Sequence, residues 1–414
     1  MSATALPAGW RRGNIRHFAA MKTGHTPSRS VSAYWDKTSI PWFTLADVWQ
    51  LRDGRRTYLG ETASQISELG LANSAAELLP AGTVVLSRTA SVGFTGIMPR
   101  PMATSQDFWN WVCGDELLPE YLNFQLRSMA PQLRGLNMGS THQTIYKADA
   151  AAIEVVVPPV PEQRAIVDFL NRETARIDTL IDEQQRLIDL LRERRKSVIE
   201  IGTGWDGLVR EGWSSQRLSW IFRSTASGTT PSNEDIVYSA GAEIPWVTTG
   251  ELRESVIVDT ERGVTSQVLD RYSALKLHPA GSLLIAMYGA TIGRMAILGV
   301  DAASNQACCA LVGPTGVIAE FVQYSLVAAK PHLLLEAAGG GQPNINQDKI
   351  RSFRIPVPPV AEQHGIVAYL DEQTAKIDVL IAETERFIDL ALERRSALID
   401  SAVTGQTVLR AEVA

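Results

Sequence analysis

The chain has 414 residues, 45% hydrophobic and 20% charged, with a formal charge of −6. That length suggests two or three domains with ordinary soluble cores, and the mild acidity argues against a freestanding basic nucleic-acid binder. No apolar run reaches the ~18 residues of a membrane span. The start, MSATALPAGWRRGN, has no apolar segment behind its positive charges, so no signal peptide is expected. The three cysteines, Cys113, Cys308 and Cys309, form no even framework; a reduced, cytoplasmic protein with no membrane partner is the simple expectation.

Residues 1–152 read as a mixed α/β segment, in which VVL, GFTGIM and FWNWV are strands between Gly/Ser/Thr turns and PEYLNFQLRSMAPQL is a short helical run. A closing strand, IEVVV, then meets VVPPVPEQ (156–163). Two consecutive prolines end a strand because neither donates to a ladder. Pro161 suits a first helical turn, and Glu162 puts negative charge at the positive end of the helix dipole. An amphipathic helix follows through residue 206, with Ile177, Leu180, Ile181, Leu187, Ile188, Leu191 and Val198 at three- and four-residue steps. Asn171 is a candidate cap for a restart, which would make this a short helix followed by a longer one.

Residues 207–352 repeat the mixed pattern, with ACCALV as a buried strand and AEFVQYSLVAAKPHLLL as a helix. Residues 353–414 repeat the junction and the helix: PVPPVAEQ (356–363) has Ala361 in place of the proline, Asp371 is a second candidate cap, and Ile377, Leu380, Ile381, Phe387, Ile388 and Leu398 form the stripe. Shifted by 200, residues 157–200 align with 357–400 without a gap, 24 of 44 pairs being identical. A repeat this strong organises the whole reading. Fainter matches precede it in order: GHTPS with GTTPS, IPWFT with IPWVT, LPAGTVVLSRTASVG with HPAGSLLIAMYGATIG, and MGSTHQTIYK with GGGQPNINQ. Two equivalent stripes, one per half, are expected to pack on each other as a coiled-coil-like pair.

No GxxxxGK[ST] loop is present, the prolines lack the polar lead and the aromatic of an adenine-methylating motif, and the six histidines show no metal spacing. The expectation is a chain without a catalytic constellation, metal or cofactor of its own. Glu193, Arg194 and Arg195, repeated as Glu393, Arg394 and Arg395, are either a solvated helix face or a face for partners.

Two variable segments, each closed by PP-x-x-EQ and a helix carrying T-A-[RK]-I-D-x-L-I, resemble the specificity subunit of type I restriction-modification systems. The matching residues are Pro158, Pro159, Glu162, Gln163, Thr174, Ala175, Ile177, Asp178, Leu180, Ile181 and their partners 200 later, with IPW-x-T and the closing AVTG in support. IGTG (201–204) departs from AVTG. The resemblance implies an α+β fold: two target recognition domains in tandem, each followed by a long helix, the two helices antiparallel as a spacer. It also implies a non-catalytic reader of an asymmetric, bipartite double-stranded DNA site. Two methyltransferase subunits would dock on it, and restriction (motor) subunits through them; S-adenosylmethionine, ATP and Mg would belong to those partners. Competing readings are a repeat scaffold without a DNA role and the recognition part of a fused restriction-methylation enzyme.

Base edges are read by polar loop side chains. On that basis the candidate DNA contacts of the first half are Thr44, Arg55, Arg56, Arg88, Thr89, Ser91, Gln106, His142, Gln143 and Lys147. Those of the second half are Thr248, Thr249, Tyr288, Thr291, Arg294, Asn305, Asn344, Asn346 and Gln347. Candidate partner-docking residues are Glu162, Gln163, Glu193, Arg194 and Arg195 and their repeats Glu362, Gln363, Glu393, Arg394 and Arg395. The balance of charge, 14 Lys/Arg against 11 Asp/Glu in residues 1–150 and 10 against 13 in 207–350, leads to the expectation that ionic DNA affinity comes largely from the partners.

Overall fold

The structure, a computed structural model, describes residues 6–135, 144–238, 242–335 and 344–406. The chain divides into two units, one formed by Met1–Gln185 with Glu385–Ala414 and the other by Arg186–Thr384. Cut this way, the boundaries fall inside the two long helices, and each unit takes a variable segment together with half of each helix.

The first unit contains β1 (Arg11–Asn14), β2 (Ala19–Thr23), β3 (Ile40–Phe43), β4 (Ser64–Ile66), β5 (Val84–Ser87), β6 (Thr95–Ile97), β7 (Ala103–Thr104), β8 (Phe108–Cys113) and β9 (Glu154–Val157). Its helices are α1 (Glu68–Ala72), α2 (Pro119–Ser128), α3 (Ala130–Gly135), α4 (Lys147–Ala151) and the start of α5 (Val160–Thr203). The main sheet has the order β2-β8-β5-β6, beside a β4-β3-β7 sheet and a β1-β9 ribbon. The PEYLNFQLRSMAPQL run divides into α2 and α3, with Pro131 in the first turn of α3, where no N–H is needed.

The second unit repeats the plan with β10 (Ser214–Arg217), α6 (Leu218–Ile221), β11 (Phe222–Ser227), β12 (Val237–Tyr238), β13 (Ile244–Val247) and β14 (Val256–Ile257). It continues with β15 (Arg262–Val264), α7 (Ser266–Arg271), β16 (Leu283–Ala286), β17 (Met295–Leu298), β18 (Ala303–Ser304), β19 (Cys308–Pro314), α8 (Ala319–Leu335), α9 (Gln347–Ser352), β20 (Arg354–Val357) and the start of α10 (Val360–Val403). The repeat holds to the residue: Trp42 pairs Ala103 as Trp246 pairs Ala303, and Val84 pairs Trp111 as Leu283 pairs Leu311. The GHTPS and GTTPS motifs owe their glycines to crowding. A Cβ on Gly24 would lie 2.2 Å from the Thr104 carbonyl oxygen, and one on Gly228 would lie 1.6 Å from that of Ser304.

The junction is a staple. Gln163 is fully buried; its Oε1 accepts the Leu118 N–H at 2.8 Å, and its Nε2 donates to the carbonyls of Glu116 and Pro158, each at 2.8 Å. Gln363 makes the same three bonds with Ile318, Gly316 and Pro358. Glu162 accepts from the Trp10 indole at 2.7 Å and Glu362 from that of Trp213 at 2.9 Å. Each long helix is thereby fixed at its start to the beginning of its variable segment and to a loop in that segment's interior. Both helices run unbroken, so Asn171 and Asp371 cap no restart: Thr174 and Thr374 return their hydroxyls to the Leu170 and Leu370 carbonyls, and Asp371 instead accepts from Tyr324. Gly204 and Gly405 stop the helices at φ +75° and +78°, the left-handed conformation that glycine adopts at little cost.

Within each unit the two helices are antiparallel. In the first, Ile177 and Ile181 of α5 pack with Ile388, Ala391 and Leu398 of α10, and the Arg395 guanidinium meets Asp178 at 2.9 Å. In the second, Arg195 of α5 makes a two-pronged pair with Asp378 of α10 at 2.8 and 3.2 Å. The Asp of T-A-[RK]-I-D and the second Arg of E-R-R are thus each other's partners, exchanged between the copies. The expected helix pairing is present.

Candidate nucleic-acid interface

The turn after β5 is built by its own polar atoms. Ser87 donates its hydroxyl to the Ser91 carbonyl and accepts the Phe94 N–H at 2.9 Å. Ala90 stands at φ +54° and Gly93 at +90°, so the chain reverses tightly and lifts residues 88–91 off the sheet. Two neighbouring segments close on this turn. Residues 105–107 hold it through Thr89 Oγ1 to Asp107 at 2.6 Å and Arg88 Nε to the Gln106 carbonyl at 2.6 Å. Residues 144–147 hold it through the Ile145 N–H to the Arg88 carbonyl at 2.9 Å and a bridge between Thr89 and Thr144. Beneath lies Trp109, whose indole donates to the Ile145 carbonyl at 2.9 Å and whose ring centroid is 4.5 Å from the Arg88 guanidinium carbon. That stacking holds the guanidinium in place over the ring. Burial lowers the Arg88 pKa from its ordinary value, partly opposed by Asp107.

The second unit builds the same cradle from different side chains. The Ile345 N–H bonds the Met287 carbonyl at 2.8 Å, Tyr288 bridges Asn344, and the Asn305 side chain accepts from the Ala307 N–H. Met287 stands where Arg88 does, Tyr288 where Thr89 does, and Cys309 where Trp109 does. Burial pushes the Cys309 thiol up to about 12, a shift that nearby Arg351 opposes.

The structure therefore gathers Arg88, Thr89, Gln106 and Lys147 at the first cradle, and Tyr288, Asn305, Asn344, Asn346 and Gln347 at the second, with Ser91 on the first turn and Thr291 and Arg294 on the return of the second. Gln106 accepts from Thr26, and Asn346 caps α9 by accepting the Lys349 N–H at 2.9 Å. Thr44 and Thr248 spend their hydroxyls in capping boxes with Asp47 and Glu251, and Thr249 opens the turn that follows. Arg55 pairs with Asp182 at 2.7 Å and Asp178 at 3.6 Å on α5, ion pairs that tie the first variable segment to the helix. Arg56 gives its carbonyl to Arg127 at 2.5 Å while its own side chain stays exposed. His142 and Gln143 lie outside the described residues.

The docking candidates divide by burial. Glu193, Arg194, Glu393 and Arg394 are exposed, whereas Gln163, Gln363 and Arg395 are buried and engaged, Arg195 is half-buried in its ion pair, and Glu162 and Glu362 hold tryptophans. Gln163, Gln363 and Arg395 act as internal fasteners. Trp109 and Asp107 were not among the candidates. The alternation of FWNWV carried a signal for the tryptophan, since it sets Trp109 and Trp111 on the opposite face from Phe108 and Asn110.

The sequence profile of the family "Type I restriction modification DNA specificity domain" matches residues 7–188 and 210–385, well over half of the chain. The chain belongs to this family. Its role is recognition of DNA sequence, and the family is one of specificity rather than catalysis. The chain is 24% identical over 307 residues to the type I restriction enzyme MjaIX specificity subunit of Methanocaldococcus jannaschii, covering 69% of this chain and 68% of that protein. It is 25% identical over 213 residues to the EcoR124I/EcoR124II specificity subunit of Escherichia coli, half of each chain being covered. Among solved structures, the fold matches a chain from "Structural basis underlying complex assembly and conformational transition of the type I R-M system" with a TM-score of 0.81 at 17% identity, covering 98% of this chain and all of the other. It also matches the HsdS subunit from Thermoanaerobacter tengcongensis with a TM-score of 0.60 at 16% identity, covering 98% of this chain and 99% of that one. The α+β fold with paired long helices agrees with both. Among the described residues, no helix of this specificity chain is long and apolar enough to cross a membrane.

Proposed function

We propose that this chain reads an asymmetric, two-part DNA site, each unit contacting one part, as the specificity subunit of a complex in which partner subunits carry the catalysis. The observation that carries the asymmetry is the doubled cradle: one backbone frame, held by the same bonds, presents Arg88, Thr89 and Trp109 in one copy and Met287, Tyr288 and Cys309 in the other. Two like frames with unlike side chains suit two unlike half-sites, because hydrogen-bonding side chains discriminate base edges. Arg88 is the leading base contact of the first unit, since a stacked guanidinium reaches guanine O6 and N7 bidentately. In the second unit, Arg294, Tyr288 and Asn344 are the corresponding candidates.

Two methyltransferase subunits are the proposed partners, with motor-nuclease subunits reached through them; S-adenosylmethionine, ATP and Mg are assigned to those partners. Docking is supported by what the helices leave uncovered. In the first unit Leu180, Phe387, Leu390 and Leu392 remain 37–54% exposed, and in the second Leu187, Leu190, Val379 and Leu380 remain 42–63% exposed. Exposed large apolar side chains clustered on a helix mark an interaction face. The exposed Glu193, Arg194, Glu393 and Arg394 would rim it.

The test is long-read methylation profiling of a host with and without the gene. A bipartite asymmetric motif that disappears with the gene is expected; a methylome unchanged by its deletion would overturn the reading. The substitution Arg88→Ala is expected to abolish methylation of that motif while the chain still co-purifies with its partners.

A further inference from the structure

Next to Trp109, on the side away from the turn, lies a groove of about 540 Å³ lined by Arg16, Lys22, Lys147, Glu77 and Ala151. Lys22 projects from β2, where it pairs Asn110 of β8. Arg16 lies in the turn between β1 and β2, and Lys147 is the first residue of α4. Glu77 faces Lys22 at 2.6 Å, in a pair whose side chains are 39% and 47% exposed, so water and a competing anion both reach it.

The sheet registers carry these five positions onto the second unit. Asn14 pairs Glu154 as Arg217 pairs Arg354, which sets Ser219 against Arg16. Ala226 pairs Ala310 as Lys22 pairs Asn110. The bridges Leu79–Met102 and His278–Ala302 set Lys276 against Glu77. Gln347 opens α9 as Lys147 opens α4, and Arg351 then matches Ala151. Three cations are lost, and two others appear where the first unit has an acid and an alanine. The five matched positions keep a surplus of two positive charges in each unit, although the chain as a whole is at −6 and the second recognition segment is acidic. The side chains have moved and the sign has not. A polyanion is the partner that needs the sign of charge along a groove but no particular residue.

We propose that this groove, and the matching surface of the second unit, hold the DNA sugar-phosphate backbone, through Arg16, Lys22 and Lys147 in the first and Lys276 and Arg351 in the second. The assignment rests on the DNA-recognition reading above and adds to it a division of labour: the turn reads bases while the flanking groove supplies ionic grip. It also shifts part of the salt-dependent affinity, expected from composition to lie with the partners, onto this chain.

The experiment measures binding by the full chain, purified with whatever subunits accompany it, to a duplex carrying its methylated motif and to a scrambled duplex across a salt series. The slope of log K against log salt changes by about 0.9 per phosphate contact. Arg16→Ala with Lys147→Ala is therefore expected to flatten it by about two, weakening both duplexes alike, and Lys276→Ala with Arg351→Ala to do the same. Glu77→Gln, which frees Lys22, is expected to steepen it by about one, a gain that misfolding does not produce. Slopes unchanged in all three variants, or losses confined to the motif duplex, would overturn the groove assignment alone. A wild-type complex that does not distinguish the two duplexes would overturn the recognition reading itself.

Discussion

Ala90 and Gly289 occupy the same turn of the two cradles, at φ +54° and +81°. A side chain in the left-handed region costs about 1 kcal/mol, and nothing lies within 4 Å of a Cβ built on Gly289, so the backbone angle alone decides the outcome. Ala90→Gly is expected to stabilise the first unit by about 0.5 kcal/mol, the relief being offset in part by unfolded-chain entropy, and Gly289→Ala to destabilise the second by about 1 kcal/mol. Urea titrations of the two variants check both signs. Strain tolerated in the turn that carries Arg88, the proposed base contact, is in keeping with a loop shaped for a ligand. At this scale the sequence told least. Arg88 was legible as an arginine on a glycine-flanked turn, but its support was not, because Trp109 and the Gln106 carbonyl lie some twenty residues away. Arg55 looked like the same kind of residue, and its acid partners lie more than 120 positions along the chain.

Among elements, the long helices invite a comparison between two versions of one contact. Arg395 and Asp178 are 11% and 16% exposed, and Arg395 also donates to the Gly54 carbonyl at 2.9 Å; Arg195 and Asp378 are 35% and 51% exposed. Removing one partner of a buried pair strands the other charge, whereas an exposed pair contributes little. Asp178→Asn is expected to cost about 2–3 kcal/mol and Asp378→Asn about 0.5 kcal/mol, read as shifts in the unfolding midpoint of the respective unit. The pairing of the helices was legible from their stripes, since a three- and four-residue spacing written twice has few ways to be buried. The junction was half legible. Prolines and a first-turn acid announce a strand passing into a helix, but two of the three bonds of Gln163 and of Gln363 reach loops some 45 residues back, so a buried fastener read as a surface residue. The supposed restarts failed because Thr174 and Thr374 satisfy their hydroxyls inside the helix.

For the molecule as a whole, the first unit joins residues near the start of the described chain to the last turns of α10. Ile399, Ala402 and Val403 belong to the same core as Val84, Trp111 and Tyr121, the Tyr121 hydroxyl donates to the Val403 carbonyl at 3.2 Å, and Gly405 packs on Pro7 and Trp10. Ending the chain at Ser396 removes two large buried side chains from that core, at about 1.5–3 kcal/mol each. Hydrogen exchange is expected to show loss of protection across β5, β8 and α2, with β16 and β19 unaffected. A repeat displays the equivalence of Gly204 and Gly405 but not which half each glycine serves, and that is why four consecutive segments, 1–152, 153–206, 207–352 and 353–414, were the natural division of the sequence. The arrangement also bears on synthesis. Chains ordinarily mature from the N-terminus as they leave the ribosome. Here the contiguous second unit has all its residues once position 384 has emerged, while the first must wait, its core unsealed, for the last turns of α10. The half that is translated first is the half that is finished last.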